Sequence, residues 1–171
     1  MFNFKLSLSM KKILFILTMF CAAISINAQS SLLANRLHFY VEGLGGAVVD
    51  KPGFVDGSAL AGGAITVGYQ LNENLNIGLG ASPTFLDMWP GGDGWVIPVY
   101  AQVRFDNTIN DFSPYGEVRM GTSVPERGEC SFYLNGSVGL RYRRGYVGIF
   151  YTEDINDGHM GYIGGKIGIV L

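Results

Sequence analysis

Apolar residues alternate with small or polar ones along eight separate stretches of this chain, and few folds tolerate that pattern. In NLNIGLGASPTF, residues 74–85, Leu75, Ile77, Leu79 and Ala81 interleave with Asn76, Gly78, Gly80 and Ser82. A period of two puts the first set on one face of a β-strand and the second on the other. Comparable stretches cover residues 37–49, 58–70, 74–86, 95–105, 113–121, 131–142, 145–152 and 160–171. Between them stand the turn-forming clusters DKPGFVDG, LNE, DMWPGGDG, DNTIND, SVPERGE, RRG and EDINDG. No window carries a helical period, so the expectation is an all-β chain.

The two faces differ in chemistry. One runs through Phe39, Val41, Ile65, Val67, Ile77, Leu79, Val99, Val103, Val118, Met120, Val138, Leu140, Ile163, Ile167 and Ile169. The other carries His38, Tyr40, Glu42, Thr66, Gln70, Asn76, Tyr100, Gln102, Arg104, Tyr115, Glu117, Arg119, Tyr133, Asn135, Ser137, Arg141 and Lys166, with glycines throughout. The seventh stretch, GYVGIFYT, is apolar on both faces and leaves its orientation open. Of the 171 residues 25 are glycine, an unfavourable choice inside strands unless backbones approach closely or a lumen is tightly filled.

Alternation does not say which face is inside. A soluble barrel buries the aliphatic face, whereas a membrane barrel turns it to lipid. The N-terminus favours the second. Lys11 and Lys12 precede the apolar run Ile13–Ile26, and Asn27-Ala28-Gln29 follows. The run is too short to span a bilayer as a helix and has the form of a secretory signal. We expect cleavage after Ala28, leaving a barrel domain over 29–171. Segments of about 9–13 residues match what a tilted strand needs to cross hydrocarbon. Aromatics also gather near segment ends, including Phe39, Tyr69, Phe85, Trp95, Phe105, Phe112, Phe132, Tyr142 and Tyr151, where an interfacial girdle belongs. The expected fold is an eight-stranded antiparallel up-and-down transmembrane β-barrel with a packed polar lumen. Its termini face the periplasm, and the connections near 50–57, 87–94, 122–130 and 153–159 face outward.

With those features in place, the chain resembles the OmpA/OmpX-like family of small outer-membrane β-barrels. The resemblance rests on IPVYAQVRF (97–105), SPYGEVRMG (113–121), NGSVGLRYR (135–143) and GGKIGIVL (164–171). It implies residence in the bacterial outer membrane, contact with its lipid including lipopolysaccharide, and insertion by the β-barrel assembly machinery. Leu171 departs from the aromatic final residue usual in such barrels.

The sequence offers little enzymatic chemistry. The glycines of Gly43-Leu44-Gly45-Gly46 and Gly78-Leu79-Gly80 lack the third member of a dinucleotide loop, and no helix follows. His38 and His159 are the two histidines, with no Cys/His group at zinc spacing. Cys130 is the one cysteine left after cleavage, so no internal disulfide forms. We therefore expect no catalytic residues, cofactor or metal. The mature chain has nine basic and fourteen acidic residues, which argues against a nucleic-acid partner. A lipid-modifying enzyme on the same fold is the alternative, with His159 beside Glu153, Asp154 and Asp157 as base and Ser131 as its partner. A secreted soluble β-barrel holding an apolar ligand is a third reading.

Two sets of residues are singled out. Glu42, Arg104, Glu117, Arg119, Arg141 and Lys166 should form a charge network in the lumen, because unpaired buried charges destabilise strongly. Closure of the barrel requires the last strand to pair antiparallel with the first. Glu42 and Lys166 should then lie at similar depth. Phe54, Trp89 and Pro90 are the candidate outward contacts for a surface ligand.

Overall fold

The computed structural model describes residues 36–50, 59–87, 94–107, 111–126, 129–155 and 160–171. The expected signal at 1–28, the contact residues Phe54, Trp89 and Pro90, and His159 lie outside the described residues. The strands are β1 (Leu37–Asp50), β2 (Ala59–Gln70), β3 (Leu75–Ala81), β4 (Thr84–Asp87), β5 (Gly94–Asp106), β6 (Phe112–Pro125), β7 (Ser131–Tyr142), β8 (Gly145–Ile155) and β9 (Met160–Val170).

β3 and β4 are two halves of one stave. Both pair antiparallel with β2 and with β5, and the register runs on unchanged: Ile65 opposes Ala81 and Gly62 opposes Thr84. The gap at Ser82-Pro83 has a chemical cause. Pro83 has no N–H to donate, and neither does Pro98 in the facing part of β5. Single bonds still bridge the break, with Ser82 N donating to Pro98 O at 2.9 Å and Gly63 N to Pro83 O at 3.1 Å. Eight staves therefore close one antiparallel barrel. β1 pairs with β2 on one side and with β9 on the other, in the register Tyr40↔Val170 through Gly46↔Gly164. Phe39 and Leu171 exchange both backbone bonds at the terminal end of this seam, at 3.2 and 2.8 Å.

The barrel is inside out relative to a water-soluble one. Ile65, Ile149 and Ile167 are 60%, 63% and 66% exposed, while Arg104 and Thr66 are fully buried. Large apolar side chains facing outward around the whole wall suit hydrocarbon, and polar groups turned inward suit a filled lumen. Trp95 and Phe105 stand ten residues apart on β5, about 34 Å along the strand and about 24 Å across the bilayer at a tilt near 45°. They belong to two exposed aromatic rims. Phe39, Phe112 and Tyr142 join Phe105 at the terminal end, and Phe132 and Tyr151 join Trp95 at the loop end. Phe85 packs edge-on against Trp95 with centroids 5.4 Å apart, and Phe112 lies 4.8 Å from Tyr142.

Three expectations are corrected at the loop end. β6 runs to Pro125 and β8 to Ile155, into clusters read from sequence as turns. Ser123 and Asp154 continue the inward face there, both buried, so these polar residues serve the lumen and not a loop. The ambiguous seventh stretch is resolved as well: Tyr146, Phe150 and Thr152 point in. Val147, Ile149 and Tyr151 point out. The lumen is not polar throughout, because Leu60, Leu86, Val96, Phe150 and Tyr162 form a buried apolar cluster, packed by Leu44, Val48 and Met160.

Candidate functional site

Alternation along each strand delivers charges to one level of the lumen. β5 contributes Gln102, Arg104 and Asp106, and β6 contributes Tyr115, Glu117 and Arg119. Glu42 comes from β1 and Lys166 from β9. All eight are buried. Glu117 is the hub. Its Oε1 accepts from Lys166 Nζ at 2.7 Å and lies 2.6 Å from Arg119 Nε, and its Oε2 accepts from Arg104 Nη1 at 3.4 Å. Glu42 is bound as fully, by Arg119 Nη2 at 2.6 Å, Tyr146 Oη at 2.7 Å and Lys166 Nζ at 3.4 Å. In the ladder Lys166 opposes Leu44, and Glu42 opposes Gly168. The two charges are therefore offset by two residues along the seam and still meet.

Arg141 is peripheral. Its side chain is 22% exposed and lies 3.7 Å from Asp106. Asp106 is the member that sequence reasoning missed, since it was placed in the turn DNTIND. It takes a two-pronged grip from Arg104, at 3.1 and 3.2 Å. Continuing the period from Gln102 and Arg104 would have found it. A neutral partner set also went unseen: the Arg104 guanidinium lies 3.9 Å from the Tyr115 ring centroid, 4.5 Å from that of Tyr146 and 5.0 Å from that of Tyr40. Cation–π contacts of this kind gain weight in a desolvated interior.

The inward glycines make room for these rings. A Cβ on Gly168 would strike the ring of Tyr146, and one on Gly148 the hydroxyl of Tyr115. Tyr40 lies over Gly68 and Tyr100 over Gly80, with 2.9 and 2.8 Å left to a Cβ. Each tyrosine thus occupies the place of a side chain missing on another strand. That is how an eight-stranded bore is filled to packing density. We expect planar-bilayer recordings to show no stable large-conductance openings of the porin kind. Such openings would contradict the plugged lumen.

Above the charge network, toward the loops, sits a second polar group. Asp154 accepts from Ser123 Oγ at 2.6 Å and from Ser131 Oγ at 3.4 Å. Asn135 donates to Thr152 Oγ1 at 2.6 Å, and its own Oδ1 has no partner. Ser131 therefore turns into the lumen and away from lipid. Cys130 beside it is exposed. Among the described residues no three His, Cys, Asp or Glu side chains are grouped to hold a metal.

No protein-family model and no curated protein matches the sequence. The solved structures supply the likeness. Ail, the attachment invasion locus protein of Yersinia pestis, is 16% identical with a TM-score of 0.54, over 80% of this chain and 99% of that one. Neisserial surface protein A is also 16% identical, with a TM-score of 0.53 over 77% of this chain and 96% of its own. The fold is that of a small outer-membrane β-barrel. The outer-membrane enzyme PagL shares it, at 11% identity and a TM-score of 0.53 over 76% of this chain and 98% of that one. A protein named for attachment and one named as an enzyme thus share this barrel, so the fold does not choose among activities.

Proposed function

We propose that this chain is a non-enzymatic integral protein of the bacterial outer membrane. In this reading it acts as a rigid plugged stave of the envelope, and its loop end makes any surface contact. The observation that carries it is the pairing of an aliphatic wall with a lumen filled by tyrosines and ion-paired side chains, which fits lipid outside and obstructs the bore. Lipopolysaccharide and phospholipid are its surroundings on this reading, and the β-barrel assembly machinery inserts it. Ser131 weighs against the lipid-modifying alternative, because a nucleophile for acyl chemistry has to reach the membrane edge, and its hydroxyl donates inward to Asp154.

The surface ligand, if there is one, differs in charge from that of a structural relative. Ail has been solved in complex with the heparin analogue sucrose octasulfate, a polyanion. Here the loop-end connections and strand ends carry Asp50, Asp56, Asp87, Asp93, Glu126, Glu129, Glu153 and Asp157 against Lys51 and Arg127. That surplus repels polyanions and favours neutral or cationic contacts. Fractionation tests the reading. The protein should sediment with outer membranes, resist extraction by salt, and migrate differently in unheated and boiled detergent gels. Recovery in the soluble fraction without detergent would overturn it. Altered acyl chains on lipopolysaccharide incubated with the purified barrel would overturn the non-enzymatic part.

A further inference from the structure

One buried carboxylate of the lumen stands apart from the ion pairs. Arg104, Arg119 and Lys166 are matched in number by Glu42, Asp106 and Glu117, and all six are buried. Asp154 adds a fourth carboxylate, 7% exposed. Its partners are neutral hydroxyls, those of Ser123, Ser131 and Tyr162. No base among the described residues forms an ion pair with it. A buried carboxylate served only by hydroxyls leaves the upper lumen one positive charge short, and uncompensated charge in such a place is costly.

A cavity of about 30 Å³ adjoins this carboxylate and is lined by Asp154, Asn135, Thr152, Ser82, Thr84 and the apolar cluster. That is room for about two water-sized occupants. The unpartnered Oδ1 of Asn135 belongs to a residue only 4% exposed. Arg119 and Lys166 border the cavity on its deeper side, but Glu42 and Glu117 already engage them. The donors that remain are a carboxylate, an amide carbonyl and hydroxyls. All are hard oxygens, the set that binds alkali and alkaline-earth cations. The charge shortfall is one, which matches a monovalent ion.

We propose that this cavity is a binding site for one monovalent alkali cation, sodium or potassium. Asp154 supplies the charge, and Asn135 Oδ1 with the Thr152 hydroxyl supplies neutral ligands. The ion ties β7 to β8 at the loop end of the barrel. This does not depend on the biological role proposed above, because the site is a property of the lumen.

The test uses the full folded barrel in a zwitterionic detergent at mildly alkaline pH. Unfolding midpoints in urea are compared in sodium, potassium and choline chloride at equal ionic strength. A ligand that binds only the folded state raises stability with the logarithm of its concentration once its site is filling. The wild type should therefore show a midpoint that rises with sodium or potassium and is lower in choline. In Asp154→Asn that dependence should vanish, and in Asn135→Ala it should weaken. At acidic pH a proton replaces the ion on Asp154, and the difference between salts should disappear. Equal midpoints in all three salts for the wild type at alkaline pH would overturn the proposal, whether or not either variant folds. A cation effect that survives intact in Asp154→Asn would overturn it too.

Discussion

Lys166→Glu should be the most damaging single charge reversal in this barrel. Lys166 Nζ lies between Glu117 Oε1 at 2.7 Å and Glu42 Oε1 at 3.4 Å, and its side chain is almost fully buried. The reversal gathers three carboxylates around Arg119 with no water to screen them. Removing one partner of a buried pair already costs about 3–5 kcal/mol, and a like charge adds to that. Refolding into detergent or vesicles should give little of the heat-modifiable band, with a urea midpoint far below the wild type where any folds. Lys166→Met, which deletes the charge without reversing it, should fall between. Adding Glu42→Lys to Lys166→Glu restores the net charge but sets a second cation against Arg119, whose Nη2 lies 2.6 Å from Glu42 Oε2. Recovery should therefore be partial. Wild-type refolding yield for Lys166→Glu would show that the ionic lumen does not hold this barrel together.

Gly168→Val should destabilise by a different route. A Cβ at position 168 meets the Tyr146 ring, with 2.8 Å to Cε2 as the longest of the three contacts. The ring has nowhere to go. It stands edge-on to Tyr115 at 5.6 Å and to Tyr40 at 6.4 Å, Arg104 lies against it, and its hydroxyl donates to Glu42. Overpacking a full interior costs about 1–3 kcal/mol, and here it also threatens a bond to a buried carboxylate. Tyr146→Ala opens the same space, so Gly168→Val should cost less in that background than alone. The coupling energy from such a double-mutant cycle reads the contact directly. Strict additivity would mean that the glycine and the tyrosine do not share the space described.

Much of this was legible in the chain. Period-two alternation placed Glu42, Arg104, Glu117, Arg119 and Lys166 on the inward face, because a strand leaves only two directions for a side chain. The aliphatic face and the aromatic segment ends named the solvent, and the intolerance of hydrocarbon for free backbone groups required β1 to meet β9. Asp106 and Asp154 were lost for one shared reason. Acidic residues near glycine and asparagine look like turns, and nothing in a local window says how far a strand continues.

What the tertiary structure alone decided is which inward residues meet. The sequence specifies inward or outward, but cross-strand neighbours follow from the stagger between staves, which local pattern does not encode. That stagger sets Tyr146 against Gly168, Tyr115 against Gly148 and Lys166 between two acids contributed by β1 and β6. It also separates the lumen into an ionic level and an apolar one, although both read simply as inward positions. The glycines show the division most plainly. In sequence they look like weak points in strands, and only the closed wall reveals that at Gly68, Gly80, Gly148 and Gly168 the missing side chain is space that a tyrosine from another strand fills.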